Sequence, residues 1–132
     1  MRYFLVFITF VFMYASNLNW YSDAKKAFEI AKKENKLVLV DISKDDCPPC
    51  EFMKDVVMDE KGEVNKLLKK EFVLLEYTVG KDKIPEKFRK HFFNFTPAIL
   101  IYNKNSKLIK TVYGATSYKM FLSDLKSALK EK

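Results

Sequence analysis

Cys47 and Cys50 are the only cysteines in this chain of 132 residues, and Pro48 and Pro49 are all that separates them. Thiols so placed can exchange with disulfides, because the thiolate is the nucleophile of that reaction. Upstream lies Leu37-Val38-Leu39-Val40-Asp41-Ile42, an apolar run rich in β-branched residues and short enough for a buried strand. Downstream, Phe52, Met53, Val56 and Val57 recur at helical spacing. The pair therefore sits where a strand hands over to a helix. There, free backbone N–H groups and the positive end of the helix dipole favour a thiolate. A structural role explains the pair poorly. A bridge across two intervening residues closes a very small loop and constrains little of the unfolded chain.

Other candidates carry less chemistry. His91 is the sole histidine and reads as a helix-surface residue. Zinc needs four ligands, and Cys47, Cys50 and His91 are too few and too scattered. A copper site from Cys47, Cys50 and Met53 is the one metal alternative. Phe92, Phe93 and Phe95 read as core, with the flank of a peptide groove as the other reading. Asp41 is unusual, because a carboxylate on an apolar central strand is costly unless it has a task.

The elements that must position these residues follow from periodicity. Trp20 to Asn35 reads as a first helix, capped by Ser22 or Asp23. Leu37 to Ile42 is a strand apolar on both faces, hence central. A second helix runs from Pro48 to Met58, since proline is tolerated in a first turn. Asp59 to Lys70 holds a further helical piece, with Val64, Leu67 and Leu68 inward. Phe72 to Val79 is a strand, and Ile84 to Phe93 a helix. Ala98 to Tyr102 and Lys107 to Tyr113 form a hairpin. Ser117 to Glu131 is a final amphipathic helix, with Phe121, Leu122, Leu125 and Leu129 inward. The early β-α-β unit implies parallel pairing, and the hairpin adds an antiparallel edge.

Composition bounds the rest. The length allows one domain with one sizeable core, and a hydrophobic fraction of 48% with twelve Phe argues for a globular fold. The net charge of +7 comes from lysines scattered among acids, with no basic block interleaved with aromatics, so no nucleic-acid partner is expected. Arg2 precedes an apolar stretch from Tyr3 to Ala15. Residues 1–16 read as a signal peptide, leaving 17–132 as the folded domain. An uncleaved N-terminal anchor and a buried first strand are the alternatives. Either exported form places the domain in the periplasm or another exported compartment, inner-membrane anchored if the segment is retained.

Four features in order give the chain a resemblance to the exported, periplasmic kind of thioredoxin-like protein, from Trp20 to Lys132. They are the strand ending in Asp41, Cys47-Pro48-Pro49-Cys50 six residues later, Thr96-Pro97 opening the third strand, and Gly114 after the hairpin. The resemblance implies the α/β thioredoxin fold: a central mixed sheet of about four strands flanked by helices, in the order α-β-α-(α)-β-α-β-β-α. It implies an exposed Cys47 that attacks a substrate disulfide and a more buried Cys50 that resolves the mixed disulfide. Asp41 resembles the buried acid that assists deprotonation of the resolving cysteine. Pro97 resembles the cis-proline of the fold, with the backbone at Thr96 pairing with substrate. Pro48 and Pro49 belong to that same substrate-facing surface.

Local composition then sets a direction. The two prolines remove amides that could solvate the sulfur, and Asp45, Asp46 and Glu51 crowd the site with only Lys44 opposing them. Both effects disfavour the Cys47 thiolate and make the pair a reductant. Thr96-Pro97-Ala98 pulls the other way, because it resembles periplasmic disulfide isomerases. Thioredoxins usually carry Trp and Lys where Asp46 and Glu51 stand, so the substrate-facing surface is more acidic than theirs. The expected function is a disulfide reductase, with an isomerase or oxidase as the first alternative. A non-catalytic peptide-binding or copper-carrying module is the second. No cofactor is expected. Partners are protein disulfides, apocytochromes by analogy, and a membrane thiol-electron transporter as donor. Membrane contact follows only from an uncleaved N-terminus, and a monomer is expected.

Overall fold

The computed structural model describes residues 18–59 and 61–132, so the stretch read as a signal peptide or anchor lies outside the described residues. Five strands form one mixed sheet in the order β1-β3-β2-β4-β5. They are β1 (Trp20–Tyr21), β2 (Leu37–Ser43), β3 (Phe72–Thr78), β4 (Ala98–Tyr102) and β5 (Leu108–Tyr113). β2 is central: it runs parallel to β3 with Leu37 opposite Phe72 and Asp41 opposite Glu76, and antiparallel to β4 with Asp41 opposite Ile99.

One helix begins later than its pattern suggests. Trp20 and Tyr21 extend beside β3 as a fifth strand, with Trp20 opposite Leu74. α1 is Ala24–Glu34, and Asp23 caps it by accepting from the Lys26 N–H at 3.4 Å. Two aromatic residues suit the open edge of β3 better than an uncapped helical turn. Asn35 ends α1 in the left-handed conformation.

A second departure lies beyond the cysteines. α2 (Pro48–Glu51) runs on into a π-helical segment (Phe52–Met58) rather than a uniform α-helix. Its wider turns shift the inward face. Met53, Val57 and Met58 are fully buried, whereas Phe52 and Val56 point outward at 43% and 45% exposure. α3 (Glu63–Glu71), α4 (Glu86–Phe92) and α5 (Tyr118–Leu129) complete the fold.

Two apolar layers result. Residues Val38, Val40 and Ile42 of β2 pack against Phe28 of α1 and Phe88 of α4. Leu37 and Leu39, pointing the other way, pack against Met53, Val57, Leu68 of α3 and Phe121 of α5. Among the described residues no helix is long and apolar enough to cross a membrane.

Candidate functional site

The cysteines stand where β2 ends and α2 begins. After Ser43 the chain turns through Asp46, whose φ of +53° lies in the left-handed region. Cys47 is then the N-cap of α2. Its sulfur is bonded to that of Cys50 in a disulfide. The Cys50 N–H donates to the Cys47 Sγ at 3.3 Å, the one amide the two prolines leave for that purpose. Pro48 and Pro49 themselves are exposed beside it.

Thr96 reaches the pair from across the fold. Its hydroxyl donates to the Cys47 Sγ at 3.7 Å, since a disulfide sulfur has no proton to give. The Thr96–Pro97 peptide bond is cis. The Pro97 carbonyl accepts from the Gly114 N–H at 2.8 Å, which ties the loop to the end of β5. Gly114 has φ +78° and would bring a Cβ to 3.4 Å from the Phe95 ring, so the turn favours glycine. Thr96 also covers one side of Cys47. The expected contrast between an exposed Cys47 and a buried Cys50 is therefore absent: they are 8% and 6% exposed.

Asp41 lies on the layer that faces the π-helical segment, and its side chain is buried at 3% exposure. Among the described residues its Oδ1 has no hydrogen-bond partner. Burial pushes its carboxyl up from 3.8 to about 7, with Lys54 pulling it down and Glu76 pushing it further up. A carboxyl in that range can hold or release a proton near neutrality.

An open cleft of about 450 Å³ borders Cys50. Its charges correct the expectation that Lys44 alone opposes the acids. Lys54 and Lys81 line it too, against Asp45, Asp46, Glu51 and Asp55, so carboxylates outnumber cations by one. Lys81 pairs with Asp45 at 3.0 Å. Lys54 pairs with Glu76 and lies 5.0 Å from the centre of the Trp20 ring. Sequence reasoning missed Lys54, Glu76, Lys81 and Trp20. The one available signal was the position of Lys54, four residues after Cys50 and so along the same helical edge.

The phenylalanines divide. Phe92 is buried, but Phe93 and Phe95 are 73% and 54% exposed, contrary to their reading as core. Phe93 and Asn94 both adopt the left-handed conformation, which ends α4 and turns the chain outward. Both exposed rings pack on Tyr113, at centroid distances of 6.1 and 6.2 Å, beside the Thr96–Pro97 loop. His91 stays outside the cleft; its carbonyl accepts from the Tyr113 hydroxyl at 2.5 Å. Among the described residues no three His, Cys, Asp or Glu side chains are placed to hold a metal.

A paired C-x-x-C at a strand-to-helix junction, faced by a cis-proline loop, invites comparison with known proteins. The model of the thioredoxin-like family matches residues 19–104. The chain belongs to that family. Solved structures agree on the fold. A thioredoxin from Thermus thermophilus is 24% identical with a TM-score of 0.72, over 85% of this chain and 87% of that one. A putative disulphide-isomerase from Bacteroides thetaiotaomicron is 23% identical with a TM-score of 0.71, over 88% and 94%. The oxidised C-terminal domain of DsbD from Neisseria meningitidis is 16% identical with a TM-score of 0.65, over 83% and 99%. No curated protein matches the chain significantly. Within the family, the acidic Asp46 and Glu51 flanking this pair and the cation at Lys54 give the thioredoxin-like cleft its particular charge.

Proposed function

We propose that the protein is an exported thiol–disulfide oxidoreductase that reduces protein disulfides through Cys47 and Cys50. The observation that carries exchange at this pair is the disulfide at the N-cap of α2, with the Cys50 N–H and the Thr96 hydroxyl both directed at the Cys47 sulfur. Donors so directed stabilise negative charge on that sulfur once the pair is reduced. The reducing direction is supported by the amides missing at Pro48 and Pro49 and by the excess of carboxylates in the cleft.

The Cys47 thiolate attacks one sulfur of the substrate disulfide, forming a mixed disulfide, and the other substrate sulfur leaves as a thiolate that takes a proton from water. Asp41 then takes the proton of Cys50. The Cys50 thiolate attacks the Cys47 sulfur, closes the disulfide and expels the second substrate thiolate, which is protonated in turn. Two electrons pass from the dithiol to the substrate. Thr96 and Pro97, with Pro48 and Pro49, form the substrate-facing surface. The exposed rings of Phe93, Phe95 and Tyr113 offer an apolar flank beside it. Recharging needs an external dithiol, and a membrane thiol transporter is the donor class that suits an exported domain. The N-terminal apolar stretch supplies the export signal or anchor.

An isomerase or oxidase is the second reading. It is favoured by the Thr96 hydroxyl on the Cys47 sulfur and by the added cations of the cleft, both of which ease the formation of a thiolate. Equilibration of the Cys47–Cys50 pair in thiol buffers separates the two. A potential near or below about −270 mV fits a reductase, and one of about −180 mV or higher fits an isomerase or oxidase. Exchange itself is tested with Cys50→Ala. An exchange enzyme accumulates partners as mixed disulfides on Cys47, and a pure binding module accumulates none.

A further inference from the structure

Lys54 stands where three elements meet. It projects from the π-helical segment one turn beyond Cys50 and lines the same cleft. Its ammonium donates to the Glu76 carboxylate on β3. The face of Trp20, on β1, covers it at 5.0 Å. Glu76 is also the register partner of Asp41 on the adjacent strand. Trp20 pairs with Leu74, two residues before Glu76 and so on the same side of the sheet. The cation is thereby held beside a buried carboxyl whose Oδ1 has no partner among the described residues.

We propose that Lys54, clamped between the Glu76 carboxylate and the Trp20 ring, is the positioning residue that decides when Asp41 accepts the proton of Cys50. This rests on reading Cys47 and Cys50 as an exchanging pair. Two charges of opposite sign act on Asp41 from two elements. Lys54 favours its carboxylate form, and Glu76 opposes it while holding Lys54 in place. From β4 the residue opposite is the apolar Ile99. The remaining charged groups of the cleft are Lys44, Asp45, Asp46, Glu51, Asp55 and Lys81, and Asp45 and Lys81 neutralise each other. The pair therefore works as a trim on the proton acceptor. Loss of the cation keeps Asp41 protonated to higher pH. Loss of Glu76 removes an opposing charge and leaves the cation uncompensated, so Asp41 ionises at lower pH.

The two variants Lys54→Met and Glu76→Gln test this because they must move in opposite directions, which a merely structural role would not produce. The Asp41 carboxyl carbon is titrated by NMR in the oxidised full chain. In parallel, the rate at which the reduced chain is oxidised by glutathione disulfide is followed against pH. The wild-type midpoint is expected near pH 7. Lys54→Met should raise it by at least half a unit, so that oxidation at pH 6 slows by about threefold. Glu76→Gln should lower it by a similar amount and speed oxidation at pH 6. Lys54→Arg, which keeps the charge, should restore the wild-type profile. Midpoints that stay put or move the same way in both variants overturn the proposal, as do rates that fail to follow the titration. A wild-type chain that does not react with glutathione disulfide at all overturns the exchange reading itself, and the proposal with it, while the NMR titration still reports whether Lys54 and Glu76 act on Asp41.

Discussion

The two faces of β2 are built from one stretch of sequence and end differently. On the side of α1 and α4, Val38, Val40 and Ile42 are apolar to the last and wholly buried. On the side of α3, α5 and the π-helical segment, Leu37 and Leu39 are followed by Asp41, buried just as deeply. One face is closed by packing alone. The other has its last aliphatic residue at Leu39 and continues with the buried carboxyl of Asp41. Apolar contacts favour folding at any pH, whereas a buried carboxyl makes stability depend on pH. The contrast separates the part of the core that holds the fold from the part that holds a proton.

The contrast can be tested from either side. The largest effect should come from Cys47→Ser, which removes the attacking sulfur: disulfide exchange with insulin should vanish, while the far-UV circular dichroism stays that of the wild type. Next, Phe88→Ala on the sealed face should cost about 3 to 5 kcal/mol in urea unfolding, because Phe88 is fully buried and packs on Phe28, Tyr77 and Tyr102. Its reduction potential should not move. A change in potential would mean that the two faces are coupled.

Asp41→Asn should act with the opposite sign. The carboxyl of Asp41 is raised from 3.8 to about 7 in the folded chain. The folded state thus binds its proton more tightly than the unfolded state does. Stability is fully present below pH 4, falls as the pH rises towards 7 and levels off above it. The loss amounts to about 4 kcal/mol at most. Asp41→Asn should therefore be more stable than wild type at pH 8 and match it near pH 4, in urea melts at the two values. Its exchange at pH 7 should be slower. Equal stability differences at both pH values would remove the carboxyl from the explanation.

Thr96→Val is expected to do less. It deletes one hydroxyl donor to the Cys47 sulfur, a bond worth about 1 kcal/mol. The reduced form loses that support, so the potential should fall by about 20 mV. The smallest effect belongs to Lys81→Ala, because both partners of the Lys81–Asp45 pair are more than half exposed. No measurable change in melting temperature is expected, and a large one would show that the cleft charges hold the fold together.

Much of this could be read from residue order. The apolar run before Cys47 marked a central strand, because only a strand covered on both faces tolerates no alternation. The hairpin announced itself through two β-rich runs and a short polar turn, and Asp41 stood out as a carboxylate among branched aliphatics. What failed did so for identifiable reasons. Trp20 and Tyr21 were read into a helix because their strand is defined by an edge of β3 more than fifty residues away. Phe52 and Val56 share the helical spacing of Met53 and Val57, yet the wider turns of this segment leave both exposed. Phe93 and Phe95 were placed in the core on hydrophobicity alone, although two left-handed residues turn them out.

The sequence by itself determined the chemistry that is available: a lone cysteine pair, its proline spacers, a carboxyl six residues earlier, and elements whose periods bring them to one strand-to-helix junction. Spacing fixes these because they are local. Tertiary structure alone decided the charges around that chemistry. It set Glu76 opposite Asp41, swung Lys54 and Trp20 over the same spot, brought Lys81 to Asp45, and laid the Thr96 hydroxyl against the Cys47 sulfur. Apart from Lys54, those neighbours come from strands and loops far apart in the chain. Electrostatic interaction depends on distance in space, which strand pairing and register set and sequence separation does not.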